Sequence, residues 1–189
     1  MGHRFAELAF TPIVRELQTH YGSRRNYEKK AAGPDRNAQL TGRESEFIEA
    51  RDSFYMASVS ETGWPYVQHR GGPPGFVKVL SSERIGFADF GGNRQYVSTG
   101  NLLHDDRVAL IFVDYPNRRR LKVLGHVTIA DAEDALTMKP LKLNDYPASF
   151  ERGFVIQIAA FDWNCSQHIT PRYSEAEVEA RVDTLRTQE

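Results

Sequence analysis

The stretch Phe87-Ala88-Asp89-Phe90-Gly91-Gly92-Asn93-Arg94-Gln95 is the most informative part of the chain. Its pattern predicts that a strand ends, two glycines turn the backbone, and a helix over about 94–103 begins with a basic residue. Such a turn points free backbone N–H groups and the positive end of a helix dipole at one place, where phosphate binds readily. Arg94 could add a charge-assisted hydrogen bond. A glycine turn with a solvated arginine explains the same pattern, and the stretch matches neither a Walker loop nor the dinucleotide fingerprint.

Strand patterns lie on both sides of this turn. Alternating or apolar runs cover residues 53–59, 64–70, 76–80, 84–90, 107–115, 119–130 and 153–163, with turns or loops at 61–63 and 71–75. We read this as a meander of about six strands in hairpins, with short helices around them. The fold class is therefore mainly β with peripheral helices, as a closed or partly closed antiparallel barrel.

Helix signals lie mostly outside the strands. Each is a capping residue or capping box, at Thr11-Pro12, at Thr41 with Glu44, at Asp131, and at Ser174 with Glu177. Residues 23–39 are polar and mostly basic, which predicts either a mobile connector or a lid over an anionic ligand. We expect one domain over 1–189, with N-terminal helices and connector in 1–52, the barrel in 53–163 and a C-terminal helix in 164–189.

Composition excludes several classes of protein. The chain has 189 residues, 24 Lys plus Arg against 25 Asp plus Glu, and 40% apolar residues. We therefore expect a globular domain that binds neither nucleic acid nor membrane. One cysteine, Cys165, permits no intrachain disulfide, and Cys165 with His168 is only half of a zinc site, so we expect no metal. The N-terminus is not a signal peptide, and we predict a cytoplasmic protein.

Two further stretches carry basic residues. In Arg118-Arg119-Arg120-Leu121-Lys122-Val123-Leu124-Gly125, strand alternation places Arg120 and Lys122 on one face and the apolar residues on the other. Two cations on one face could hold an anionic ligand, and a solvated strand face explains them equally well. The other stretch is Tyr66-Val67-Gln68-His69-Arg70, followed after a Gly/Pro loop by Lys78.

Taken in this order and at this spacing, these stretches resemble the FMN-binding split-barrel family of pyridoxamine 5′-phosphate oxidase. The resemblance covers about residues 53–130, and Trp163 matches a tryptophan in the family's last strand. Arg70 and Lys78 match a basic pair that holds the FMN phosphate, although the loop between them is longer here. Asn93-Arg94-Gln95 stands where the family has Ser-Arg-Lys, and Arg119-Arg120-Leu121-Lys122 matches a strand that touches the flavin.

The resemblance implies FMN as cofactor and a homodimer with flavin sites at the interface. It implies that these residues bind the cofactor: Gln68, His69, Arg70, Lys78, Ala88, Asp89, Asn93, Arg94, Gln95, Arg120 and Lys122. The family's oxidases bind pyridoxal phosphate through a segment that has no convincing counterpart in 131–150, so we expect little oxidation of pyridoxamine 5′-phosphate.

The function indicated is that of an FMN-dependent oxidoreductase whose substrate is unknown. The electron donor would be NAD(P)H or another small molecule, and no catalytic acid or base can be named. Two alternatives remain open, because a fold does not decide a function. One is a flavin or haem carrier or sensor without turnover, and the other is a reductase that uses the deazaflavin F420.

Overall fold

A computed structural model describes residues 3–34, 37–143, 146–163 and 166–187 of the chain. Its centre is one antiparallel sheet of seven strands in the order β2-β1-β5-β6-β7-β4-β3. The strands are β1 (Ser53–Val59), β2 (Pro65–Gly71), β3 (Val77–Ser81), β4 (Arg84–Phe90), β5 (Arg107–Asp114), β6 (Arg119–Asp131) and β7 (Phe150–Trp163). The mainly β class is confirmed, and the seven strands correspond to the seven strand patterns in the sequence, although the number expected from the sequence was about six.

Side-chain alternation decides which face of each strand is buried. In β1, Phe54 and Met56 point into the core and are buried, whereas Tyr55 between them is exposed. The Phe54 ring packs against Phe87 of β4 and Phe112 of β5 at centroid distances of 5.2 and 5.0 Å. Because β1 and β4 are not neighbours in the sheet order, this contact requires the sheet to curl into a barrel. The barrel is split between its edge strands, β2 and β3.

Seven α-helices surround the sheet in the described residues. They are α1 (Arg4–Ala9), α2 (Pro12–His20), α3 (Arg24–Ala31), α4 (Gly42–Glu49), α5 (Val97–His104), α6 (Ala135–Met138) and α7 (Glu175–Arg186). The predicted Thr11 cap and the two capping boxes are confirmed at α2, α4 and α7. None of the helices in these ranges is long and apolar enough to cross a membrane.

Three helix predictions need correction. The region 23–39 is not wholly a connector, because α3 forms there and Arg24 stabilises it by donating to Glu28 one turn later at 2.9 Å. Helix α1 was not expected, since its six residues are too few for a periodic pattern. Asp134, not Asp131, caps α6, because its side chain accepts from the N–H of Thr137 at 3.2 Å.

Candidate functional site

The candidate site lies where the barrel is split. Arg70 at the end of β2 and Asp89 at the end of β4 form an ion pair. Since these strands are not neighbours in the sheet, the ion pair bridges the split. A cavity opens beside it, which we call the mouth, lined by Tyr66, Gln68, Arg70, Asp89, Phe90, Gly92, Asn93, Arg94, Gln95, Tyr96, Val97, Ser98, Thr99 and Glu151.

The segment between β4 and α5 forms one wall of the mouth. The predicted helix over 94–103 begins only at Val97, so Arg94 lies before the helix and not in its first turn. Arg94 and Tyr96 adopt left-handed conformations, with φ of 57° and 55°, which interrupt any helix at this point. Gly91 and Gly92 do not have positive φ values, so the left-handed residues of this segment are not its glycines.

Helix α5 nevertheless opens onto the mouth. Ser98 and Thr99, in its first turn, line the cavity together with Val97. The Ser98 hydroxyl donates to Gln68 Oε1 of β2 at 2.6 Å, which fixes the start of the helix against the barrel edge. The positive end of this helix therefore faces the cavity, as the sequence predicts, although it does so three residues later.

Two carboxylates and two guanidinium groups line the mouth, and a third guanidinium group, that of Arg152, lies against the carboxylates. Arg152, from the start of β7, places Nε 3.6 Å from Asp89 Oδ2, donates from Nη1 to the Thr99 hydroxyl at 3.0 Å, and forms an ion pair with Glu151. Burial raises the pKa of the Asp89 carboxyl, although its ion pairs with Arg70 and Arg152 act in the opposite direction. With Arg94 included, the positive groups outnumber the carboxylates, so the mouth can bind an anion.

One donor in the mouth is left unused by the protein. Arg70 Nε is buried and has no hydrogen-bond partner among the described residues. An unsatisfied buried donor costs free energy, and a guanidinium is suited to binding two oxygens of a phosphate at once. The residues present therefore fit a phosphate group.

The mouth brings together six of the predicted cofactor residues. They are Gln68, Arg70, Asp89, Asn93, Arg94 and Gln95. The alternation of β4 points Ala88 the other way, against Met138 and Leu141. Lys78 of β3 pairs with Gly86 and is not among the residues that line the mouth. A role for Ala88 or Lys78 in cofactor binding stays a prediction.

The remaining three predicted residues lie on the outer face of the sheet. His69 packs against Tyr55 with ring centroids 5.5 Å apart, and Lys122 Nζ lies 4.8 Å from the centroid of the Phe5 ring. Arg120 shares this face of β6 because it is two residues from Lys122. Within one chain, these side chains are thus separated from the mouth by the sheet.

The outer face also carries an apolar surface. Strand register places Val67, Ala57, Ala109 and Leu124 side by side across β2, β1, β5 and β6, and places His69, Tyr55, Ile111 and Lys122 in the next row. Val67 is 61% exposed and Tyr55 is 40% exposed. We call these eight residues the outer surface. Exposed apolar surfaces of this kind mark interaction sites.

The sequence did not identify Glu151 and Arg152 as site residues. The predicted last strand begins at Gly153, whereas β7 begins at Phe150 and pairs Arg152 with Asp89. Cys165 lies outside the described residues, so its predicted roles cannot be placed.

Trp163, which the resemblance matches to a family tryptophan, lies in the wall of the barrel. Its Nε1 donates to Glu44 Oε1 of α4 at 2.7 Å, and Arg119 lies 4.9 Å from its ring centroid. The side chain fastens α4 to the last strand and does not line the mouth.

Solved structures with the same fold are similar to this chain at low sequence identity. A FMN-binding protein from Syntrophomonas wolfei has a TM-score of 0.51 and 15% identity, covering 80% of this chain and 95% of its own. HupZ from Group A Streptococcus has a TM-score of 0.53 and 12% identity, covering 71% of this chain and 100% of its own. A candidate pyridoxamine 5′-phosphate oxidase from Lactobacillus delbrueckii has a TM-score of 0.51 and 20% identity, covering 67% of this chain and 96% of its own. These likenesses show the split-barrel fold.

No curated protein matches the chain at a significant level. The sequence profile of the pyridoxamine 5′-phosphate oxidase family, however, matches residues 40–152, which is more than half of the 189 residues. The matched range contains β1 to β6, the segment between β4 and α5, and Arg152. The chain therefore belongs to the pyridoxamine 5′-phosphate oxidase family.

Proposed function

We propose that this chain binds FMN with the phosphate in the mouth and acts as an FMN-dependent oxidoreductase. The observation that supports this most directly is the convergence of Arg70 and Arg94 with the first turn of α5 on one cavity. A phosphate there would meet two guanidinium groups and the positive end of a helix dipole. The similarity to a FMN-binding protein in fold points to the same cofactor.

The charge of the mouth is well suited to a phosphate monoester. The carboxylates Asp89 and Glu151 are both paired with Arg152, and the Nε of Arg94 donates to a neutral group, the Tyr96 hydroxyl, at 2.9 Å. Gln95 stands where the family has a lysine, so we expect weaker phosphate binding than in a site with both cations. FMN when bound would supply the redox chemistry, while the protein binds and orients it.

We also propose a homodimer whose interface includes the apolar outer surface of each chain and brings that surface beside the mouth of the other chain. In a single chain the sheet separates His69, Arg120 and Lys122 from the mouth, yet the resemblance assigns both groups to one flavin. A second copy packed on the outer surface would bring them to the same cofactor. The apolar row that contains Val67 gives such a contact its driving force.

The experiment is a binding and turnover assay on the purified protein. We expect a flavin absorbance spectrum, release of FMN on denaturation, and oxidation of NADH or NADPH under steady-state conditions. Bound flavin without turnover would favour the carrier or sensor alternative, and a deazaflavin spectrum would favour F420. Failure of the protein to bind FMN when titrated with it would contradict the proposal.

A further inference from the structure

Arg152 is not among the residues that line the mouth, but it contacts four that are, Asp89, Tyr96, Thr99 and Glu151. Its side chain is 14% exposed, and its three nitrogens face Asp89, Thr99 and Glu151. Its guanidinium carbon also lies 4.9 Å from the centroid of the Tyr96 ring. Because each guanidinium nitrogen lies close to a protein group and Arg152 does not line the cavity, its effect on a ligand would pass through those groups.

Tyr96 connects Arg152 to Arg94. The face of the Tyr96 ring carries Arg152, and its hydroxyl accepts a hydrogen bond from Arg94 Nε at 2.9 Å. Both Tyr96 and Arg94 are left-handed, a conformation that residues with a Cβ adopt only when surrounding contacts hold it. Arg152 supplies such contacts on two sides, at the ring of Tyr96 and at the hydroxyl of Thr99 in α5.

We propose that Arg152 is a positioning residue, which holds the segment 91–96 in the shape that directs Arg94 at an anion. The stacked guanidinium fixes Tyr96, and Tyr96 then fixes Arg94. Together with Arg70, the same side chain offsets the charges of Asp89 and Glu151, which reduces their repulsion of the ligand. This inference rests on the proposed binding of phosphate in the mouth, and neither the family profile nor the similar structures assign Arg152 a role.

The test compares FMN with riboflavin, which has the same ring system but no phosphate. Arg152→Met removes the charge and the directed donors while keeping much of the side-chain volume. We expect it to weaken FMN binding by roughly 10- to 100-fold, the range for a lost charge-assisted hydrogen bond, and to leave riboflavin binding unchanged. Equal weakening of both ligands, or of neither, would overturn the proposal, because a merely structural arginine would not discriminate between them.

A double-mutant cycle tests whether Arg152 acts through Tyr96. In a Tyr96→Leu background, Arg152→Met should cost less FMN affinity than it does in the wild-type protein. Additive effects would contradict the proposed connection. The matched control is Arg51→Met, since Arg51 is 18% exposed, lies 5.0 Å from the Phe47 ring centroid and 3.6 Å from Asp114, and does not line the mouth. That variant should change neither ligand's affinity.

A measurement without ligand separates this inference from the proposed function. Hydrogen exchange of the backbone amides in 91–99 should accelerate in Arg152→Met and stay unchanged in Arg51→Met. If the wild-type protein binds no FMN, the proposed function is wrong, and the exchange result alone decides whether Arg152 holds the segment. Unaltered exchange in Arg152→Met would overturn the positioning role.

Discussion

At the scale of single residues, Arg94 is the side chain whose removal tests the mouth most directly. It is exposed, and its Nε is held toward Tyr96 by a 2.9 Å hydrogen bond. We expect Arg94→Ala to weaken FMN binding by roughly 10- to 100-fold, because one charge-assisted interaction with phosphate is lost. Titration of the apo protein with FMN measures this.

A second variant at Arg94 and a measurement of apo stability make that prediction more specific. Arg94→Lys should restore only part of the affinity, since an ammonium lacks the planar fork of a guanidinium. The melting temperature of the apo protein should barely change in either variant, because an exposed side chain contributes little to the core. Unchanged FMN affinity in Arg94→Ala would place the phosphate elsewhere.

Glu44 is a buried carboxylate with a structural role. Its Oε2 accepts from the N–H of Thr41 at 3.1 Å, and its Oε1 accepts from Trp163 at 2.7 Å. Burial acts to raise the pKa of this carboxyl, but the hydrogen bonds from Thr41 and Trp163 together lower it below its ordinary value of 4.5. A lowered pKa in the folded state stabilises the protein above the ordinary value, and this stability is lost as pH falls through the lowered pKa.

Glu44→Gln should therefore remove part of the acid sensitivity. We expect about 1 kcal/mol lower unfolding free energy at neutral pH, and a shallower decline below the ordinary pKa of the carboxyl. Urea unfolding at several pH values measures both. Glu46→Gln, on the exposed face of the same helix, is the control and should follow the wild-type curve. Parallel curves for Glu44→Gln and wild type would contradict this account.

At the scale of elements, the longest strand pairing depends on a glycine. Gly125 lies at a register shift between β6 and β7, and a Cβ built there would lie 2.7 Å from the carbonyl oxygen of Gln157 and 2.7 Å from Ile156 Cγ2. A backbone carbonyl cannot move aside as a flexible side chain can. We expect Gly125→Ala to lower the unfolding free energy by about 1–3 kcal/mol, as overpacking does.

Chemical denaturation measures that loss. The control is Gly42→Ala at the exposed start of α4, where a Cβ would meet no atom within 4 Å, and it should be close to neutral. An unchanged denaturation midpoint for Gly125→Ala would contradict this prediction. It would mean that the backbone of β7 can shift to accommodate the added methyl group.

The elements that the sequence predicted well are those with local signals. Thr41 with Glu44 and Ser174 with Glu177 each form a capping box within four residues, and the alternation around Phe54 spans a single strand. Such patterns can be recognised from the sequence alone, because the interacting groups are close together in it. They were sufficient for the barrel and for most of its helices.

The parts of the site that the sequence missed depend on distant partners. Arg152 reaches the mouth only because β7 pairs it with Asp89, and no local pattern contains that register. Arg94 and Tyr96 are left-handed without being glycine, so the helix prediction continued through them. Arg94 was found from the local glycine-turn pattern, whereas Gln68 and Arg70 were found because the family resemblance encodes long-range proximity that the residues alone do not.

At the scale of the whole molecule, the barrel closes its core but leaves part of its outer sheet face exposed. The row formed by Val67, Ala57, Ala109 and Leu124 crosses four strands without a charged side chain. A two-fold dimer would bury such a row against a second copy and is the commonest symmetric assembly. We therefore expect sedimentation of the FMN-loaded protein to give a dimer.

Val67→Glu tests this expectation at the most exposed apolar position of the row, which is 61% exposed. In a monomer the new carboxylate would be solvated at little cost, whereas in the dimer two copies would be forced into an apolar interface, where burying an unpaired charge is expensive. The variant should sediment as a monomer, keep its apo melting behaviour at low concentration, and bind FMN more weakly, since the partner's residues would be lost. Val178→Glu on α7 is the matched control, because Val178 is 47% exposed and lies outside the outer surface, so it should remain dimeric. A wild-type protein that sediments as a monomer with its full content of FMN would show that one mouth holds the cofactor unaided.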